Sequence, residues 1–274
     1  MNEPAQPRRP RGRPKSQQVN ASSGTIQALD RGLNMLRSLT REGGATLTEL
    51  ALQVGMPPST AHRVLATLQQ HDFVEFNEAT QEWSIGIEAF RVGSAYLERT
   101  SLVESSRATL RKLTQQTGET ANLAVANQGD VVFISQVESP NPIRAFFRPG
   151  TRGYMHASGI GKVLLANLPR AEVEKILQKK GCPQFTPKSI TSASRLFIDL
   201  EETLHRGWSL DDEESYLGMR CVAAAIYNSF GEVTAGVSVS GPVARFGDEA
   251  IPAIGPKVKT AADEITRIIG GRLP

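Results

Sequence analysis

The stretch TLTELALQVGMPPSTAHRVLATLQQHDF, residues 46–73, reads as two short amphipathic helices joined by a tight turn. Thr46 followed by Glu49 is a capping box, in which each side chain satisfies a free backbone N–H at a helix start. Leu47, Leu50, Ala51 and Val54 then recur at helical spacing. Gly55 suits the left-handed conformation that ends such a helix. Pro57 and Pro58 forbid its continuation but fit the first turn of a new one. In that second helix Ala61, Val64, Leu65 and Leu68 form the buried side. Ser59, Thr60, His62, Arg63 and Thr67 form the other, a hydrogen-bonding face suited to phosphates and base edges in a major groove.

The flanks extend this pattern. Val74 and Phe76 alternate, Asn77 to Thr80 are turn-like, and Trp83 and Ile85 alternate again, a hairpin placed as the wing of a winged helix. Upstream, Ile26, Leu29, Leu33, Leu36 and Leu39 mark a first helix ending at Gly43-Gly44. Residues 25–87 therefore form an expected winged helix-turn-helix DNA-binding domain. Two short helices and a turn also occur in proteins that never touch DNA; the added helix and wing make the pattern more specific.

At 274 residues the chain suggests about two domains with a real core. Hydrophobic content of 39% and charged content of 22% are ordinary for a soluble protein. No apolar run approaches membrane-spanning length, and the arginine- and proline-bearing N-terminus lacks the apolar core of a secretory signal. The expected location is the cytoplasm, with no membrane partner. Cys182 and Cys221 lack metal-type spacing and read as reduced thiols, and His62, His71, His156 and His205 are scattered, so neither metal nor cofactor is expected.

The net charge of +3 hides an asymmetry. Residues 1–24 carry Arg8, Arg9, Arg11, Arg13 and Lys15 against Glu3, a balance of +4, which leaves the rest of the chain at −1. Residues 25–87 hold four basic against seven acidic side chains, so this domain has little general attraction for phosphates. The tail is the natural source of it. PRGRPK, Pro10 to Lys15, resembles an AT-hook: Gly12 permits close approach, the prolines keep the chain extended, and Arg11 and Arg13 match the negative potential of a narrow minor groove. The plainer reading is a disordered, solubilising basic arm over residues 1–24.

Residues 88–101 read as a linker helix and 102–274 as an effector-binding domain. A helix at about 102–116 stops at Gly118. Strands follow at 121–126, 131–137 and 143–147. Helices are expected from 157, at 171–180 and at 192–206, and strands at 208–210, 221–227 and 233–240. A last helix, 248–269, is expected to be interrupted by Pro252 and Pro256. Hairpins mixed with helices suggest an α+β domain with a mostly antiparallel sheet. Gly159-Ile160-Gly161-Lys162 fails as a phosphate loop because Val163 follows the lysine, and as a dinucleotide motif because Leu164 replaces the third glycine. A helix start able to receive a carboxylate remains, beside the alternative of a helix packed closely on a sheet through its glycines.

With ALDRGLNMLRSL, PPSTAHRVLATL, MHASGIGKVLLA, EESYLGMRCVAAAIY and SVSGPVARF together, the chain from about residue 25 onward resembles the IclR family of bacterial transcription factors, most of all its allantoin- and glyoxylate-responsive branch. The resemblance implies a winged helix, a GAF-like effector domain, dimers that pair into a tetramer, and operator binding changed by a small metabolite. It also implies an effector site at Ser158, Gly159, Ile160, Asp211, Cys221, Ser238 and Ser240, with isoleucine at 160 where the glyoxylate-binding relative has alanine. The residue chemistry agrees: Ser238 and Ser240 share a strand face, Cys221 is a small weak donor, and Asp211 suits a hydroxyl partner. A small oxoacid, glyoxylate before pyruvate or an aromatic acid, is the expected ligand. An enzyme would need Cys221 as nucleophile and Asp211 as base, yet no histidine stands near Cys221 in the sequence. A nucleoid-architectural protein using the AT-hook alone would leave the second domain without a purpose.

Overall fold

Thr46 caps its helix as the local sequence demands. Its hydroxyl accepts from the Glu49 backbone N–H at 3.4 Å, and its own N–H donates to the Glu49 carboxylate at 2.8 Å. In the computed structural model, which describes residues 26–40, 44–99 and 102–274, this helix is the second of a three-helix unit. Helix α1 spans Gln27–Leu39, strand β1 Ala45–Thr46, α2 Leu47–Val54 and α3 Pro58–Gln70. Gly55 ends α2 at φ +67°, and Pro58 takes the first position of α3. Strands β2 (Val74–Asn77) and β3 (Glu82–Ile85) form the wing, and β1 adds to it in the order β1-β3-β2. Trp83 stands opposite both Ala45 and Phe76, and its ring lies 4.8 Å from that of Phe76. The core joins Met35, Leu39, Leu50, Ala61, Leu65, Val74 and Trp83. The apolar stripe of α1 is only half used: Leu39 is buried and Leu36 half-buried, whereas Ile26, Leu29 and Leu33 are exposed. The helix outruns the bundle it packs on.

Helix α4, Ile87–Arg99, follows; the chain divides into compact units at Tyr96 and Leu97, within this helix. The second unit contains α5 (Leu102–Thr117), β4 (Thr120–Asn127), β5 (Asp130–Val137), β6 (Arg152–Tyr154), α6 (Gly159–Ala166), α7 (Arg170–Lys180), α8 (Ala193–Arg206), β7 (Ser209–Asp212), β8 (Met219–Tyr227), β9 (Val233–Pro242) and α9 (Ile251–Ile268). Its sheet runs β6-β5-β4-β9-β8-β7, antiparallel throughout. Gln128 and Gly129, both at positive φ, make the two-residue turn from β4 to β5. Side chains alternate across the sheet. Leu123, Val222, Ala224, Val237 and Val239 pack with α5 and α9, while Ala124, Ala223 and Ala225 pack with α6 and α8.

Two expectations are corrected. Residues 143–147 are not a strand; the third strand is Arg152–Tyr154. Between Pro140 and that strand the backbone leaves the ladder and is held by side chains. The Thr120 hydroxyl donates to the Ala145 carbonyl at 2.9 Å, and the Phe147 N–H donates to the Gln136 amide oxygen at 3.0 Å. Ile143 and Phe146, apolar in the sequence, are exposed. The last helix also runs unbroken through Pro256. Pro252 lies in its first turn, where no N–H is required, and both prolines face solvent.

All eight residues of α6 are buried. Glycines allow that close contact: a Cβ on Gly161 would lie 2.2 Å from the Met155 carbonyl oxygen, and one on Gly236 of β9 would lie 2.7 Å from Ile160 Cγ2. Gly161→Ala is expected to destabilise the protein toward or beyond the upper end of the about 1–3 kcal/mol typical of overpacking, since backbone must move. Chemical denaturation followed by circular dichroism checks this; an unchanged midpoint would show that the helix start yields freely.

Candidate functional site

Sheet register assembles a polar patch that is scattered in sequence. Asp211 of β7 stands opposite Cys221 of β8, Cys221 opposite Ser240 of β9, and Ser240 opposite Thr120 of β4. One step along, Ala223, Ser238 and Asn122 form a parallel row. Opposed residues share a face, so these side chains all point to the side covered by α6. Between them and the start of α6 lies a cavity of about 60 Å³. Ser158, Ile160, Asp211, Cys221, Ser238 and Ser240 line it, with Phe133, Phe147 and Tyr216 along another part of the wall. Phe133 and Phe147 are stacked at 4.5 Å, and Phe147 meets Tyr216 at 6.5 Å.

Gly159 is not on the cavity wall; it lies against the thiol, where an added Cβ would come within 2.8 Å of Cys221 Sγ. Its carbonyl accepts from the Ser209 hydroxyl at 2.6 Å. Ser158 caps α6 through its hydroxyl, which accepts from the Gly161 N–H at 3.4 Å. Its own N–H donates to the Met155 carbonyl at 3.5 Å and the Gly159 N–H is directed at the Cys221 sulfur, so the free donor of this helix start beside the cavity is that of Ile160.

Sequence reasoning overlooked three groups. Asn122 is fully buried and donates its amide to Ser238 Oγ at 3.4 Å and Ser240 Oγ at 3.2 Å, while its Oδ1 has no partner. Its signal was a polar residue within the otherwise apolar run ANLAVA. Lys162, dismissed with the failed phosphate loop, is wholly buried on α6 and pairs with Glu214 at 2.5 Å and Asp199 at 3.2 Å. Glu214 belongs to a loop that crosses the cavity, followed there by Ser215 and Tyr216. The Ser189 hydroxyl donates to the Glu214 carbonyl, and the Ser215 hydroxyl to the Ala157 carbonyl.

The cluster is rich in acid. Burial opposes the Lys162 charge, but Glu214, Asp199 and Asp211 outweigh it and hold the ammonium protonated above its ordinary range. Burial also pushes Glu214 upward. Burial, then the nearby Glu214 charge, raises Asp211 to about 7, although its carboxylate accepts from the Glu214 N–H at 2.8 Å. Burial and Asp211 push the Cys221 thiol up to about 11, which makes it a neutral weak donor instead of an activated nucleophile.

In the first unit, α3 exposes Ser59, His62, Arg63 and Thr67, while Thr60 is half-buried. Thr60, Arg63 and Thr67 border a cleft shared with Leu29 and Arg31 of α1. The Thr67 hydroxyl donates back to the Arg63 carbonyl at 2.9 Å. Gln70 continues the stripe of Ser59 and Arg63 at helical spacing and was not singled out from the sequence. Arg11 and Arg13 lie outside the described residues.

Comparison with known proteins bears on both units. The IclR helix-turn-helix domain matches residues 28–78, and the bacterial transcriptional regulator IclR C-terminal domain matches residues 94–267. The chain is 45% identical to the HTH-type transcriptional regulator BhcR of Paracoccus denitrificans, over 94% of each chain. It is 40% identical to the transcriptional repressor IclR of Escherichia coli, over 95% of this chain and 96% of that protein. The HTH-type transcriptional repressor AllR of E. coli is 35% identical, over 96% and 97%. These identities do not set the allantoin-type repressor ahead of the other two. Among solved structures, the Thermotoga maritima IclR aligns with a TM-score of 0.74 at 28% identity, over 88% of this chain and 98% of that one. An IclR homolog from Microbacterium hydrocarbonoxydans, complexed with 4-hydroxybenzoate, aligns with a TM-score of 0.79 at 22% identity, over 89% and 99%, and speaks to the fold alone.

Asp211 keeps its proton to a higher pH in the fold than in the unfolded chain, where a free aspartate titrates near about 3.9. The folded state therefore binds more protons across the window from about 4 to about 7, and stability falls as pH rises through it. Asp211→Asn is expected to remove that slope, gaining on the wild type from pH 4 to pH 7 and holding the gain above it. Melting temperatures across pH 4–8 test this, and parallel profiles would contradict it.

Proposed function

As the chain belongs to the IclR family of bacterial transcriptional regulators, we propose that it binds an operator through α3 and that a small oxoacid in the cavity beside α6 changes operator affinity. Glyoxylate is the first candidate. The observation that carries this reading is the cavity of about 60 Å³ with Ser158, Asp211, Cys221, Ser238 and Ser240 on its wall. An apolar cavity able to take benzene is nearer about 150 Å³. A two- or three-carbon acid therefore fits better than an aromatic acid such as the 4-hydroxybenzoate held by the M. hydrocarbonoxydans homolog. In this reading the carboxylate accepts from the Ile160 N–H at the positive end of α6. Ser238, Ser240 and the neutral Cys221 thiol hold the other oxygens. Asp211, protonated below about pH 7, donates as well; ionised, it repels the anion.

At the operator, Arg63 stands near the start of α3, where a recognition helix meets base edges, with Ser59, Thr60, His62 and Thr67 beside it. Arg11 and Arg13 add minor-groove contacts from the basic arm. Each dimer of a tetramer presents two such helices to two half-sites. The ligand changes DNA affinity by favouring one protein conformation over another, and α4, through which the chain passes between its units, transmits that preference.

Arg63→Ala is expected to weaken specific operator binding by about 1–3 kcal/mol, with little change in melting temperature because the side chain faces solvent. Fluorescence anisotropy on the chain's own upstream DNA measures it; equal loss on random DNA would mean a phosphate contact, and no loss would mean α3 is not the reading helix.

Titration calorimetry of the full chain with glyoxylate, pyruvate, glycolate, allantoin and 4-hydroxybenzoate tests the effector. Glyoxylate is expected to bind, to shift the operator titration, and to lose about 1–3 kcal/mol of affinity in Ser240→Ala while ligand-free operator binding persists. Binding of the aromatic acid with no glyoxylate heat would overturn the oxoacid assignment and leave the regulator reading standing.

A further inference from the structure

Asn122 is out of place by the ordinary rules of a buried strand. It is 0% exposed, and its carbonyl oxygen has no hydrogen-bond partner. A buried orphan acceptor costs stability, and an apolar residue would avoid the cost. Its amide nitrogen is well used: the two hydrogens go to the hydroxyl oxygens of Ser238 and Ser240 at 3.4 and 3.2 Å. A serine hydroxyl has one hydrogen and two lone pairs. With a lone pair of each oxygen engaged by Asn122, each hydrogen turns elsewhere. Among the described residues no protein oxygen accepts from either hydroxyl; the acceptor within reach of both is the Cys221 sulfur, a weak one that an anionic oxygen outcompetes, and both serines line the cavity with it.

We propose that Asn122 is a positioning residue that fixes Ser238 and Ser240 as hydrogen-bond donors into the cavity, and so selects an effector presenting only acceptors, a carboxylate. This deepens the effector reading above and rests on it. Elsewhere on the wall the Ile160 N–H and the Cys221 thiol can donate too, and Asp211 donates while it keeps its proton. A ligand presenting hydroxyl or amide hydrogens at the serines meets donor against donor. Asn122 touches no ligand itself; it lies behind the serines and does not line the cavity.

The test uses the full chain and titration calorimetry with glyoxylate and its neutral amide, glyoxylamide. Asn122→Ala frees the hydroxyls to rotate, and glyoxylate affinity is expected to fall about ten-fold, the scale of one charge-assisted hydrogen bond. The preference for glyoxylate over glyoxylamide narrows at the same time. In a Ser238→Ala/Ser240→Ala background, Asn122→Ala causes no further loss, because there is nothing left to orient. Asn122→Asp, nearly isosteric, replaces the donating amide with an acceptor and is expected to abolish glyoxylate binding; it also serves if the alanine variant fails to fold. Equal loss in both backgrounds, an unchanged glyoxylate-to-glyoxylamide ratio, or wild-type affinity in either variant would overturn the proposal. A wild-type chain that binds no carboxylate would overturn the effector reading and this inference with it. A wild-type chain that binds glyoxylate while Asn122→Ala binds it equally overturns this inference alone.

Discussion

The second unit is organised by how closely α6 approaches the sheet. Glycines at 159 and 236 remove the side chains that would hold the helix off the sheet, and Gly161 lets the Met155 turn fold tightly against it. The helix then lies so deep that all its residues lose solvent, including Lys162. A buried ammonium is tolerable only when paired. Its carboxylates come from elsewhere in the chain, Asp199 on α8 and Glu214 on the loop after β7. Satisfying the lysine therefore draws that loop across the helix start, and the loop brings Ser215 and Tyr216 to the cavity wall. Close packing of one helix thus accounts for the floor of the cavity, for its cover, and for the burial and neighbouring Glu214 charge that raise Asp211 to about 7.

What the sequence revealed and what it concealed divide along a physical line. The capping box at Thr46 and Glu49, the Gly55 stop and Pro58 at a helix start are local signals, and each takes its expected place. The seven effector residues came from resemblance, and six of them line one cavity while Gly159 backs it. Local pattern failed where tertiary context decides. Ile143 to Phe147 looks like a strand, but Thr120 and Gln136 hold that backbone with their side chains. The stripe along α1 is regular, yet nothing in its periodicity says how far the bundle reaches. Asn122 and Lys162 acquire meaning only from partners 116, 118, 37 and 52 residues away, which no spacing rule supplies.

The first unit carries a different constraint. With four basic and seven acidic side chains over residues 25–87, it has little long-range pull on DNA. In the proposed operator reading, short-range hydrogen bonds from the exposed side of α3 would carry a larger share of recognition, and the basic residues before position 25 would supply the missing attraction. Such a division would keep a reading helix from holding indiscriminately to any duplex.

The two halves of the cavity wall differ in how freely they can evolve. The floor is framed by glycines whose replacement collides with backbone or with the thiol, so drift there carries a heavy folding penalty. The cover is otherwise: Tyr216 and Leu217 are more than half exposed, and their side chains can change size without disturbing the sheet. A lineage of such proteins can reshape the cavity for bulkier occupants by editing this loop and the facing Phe147 while the floor is inherited intact.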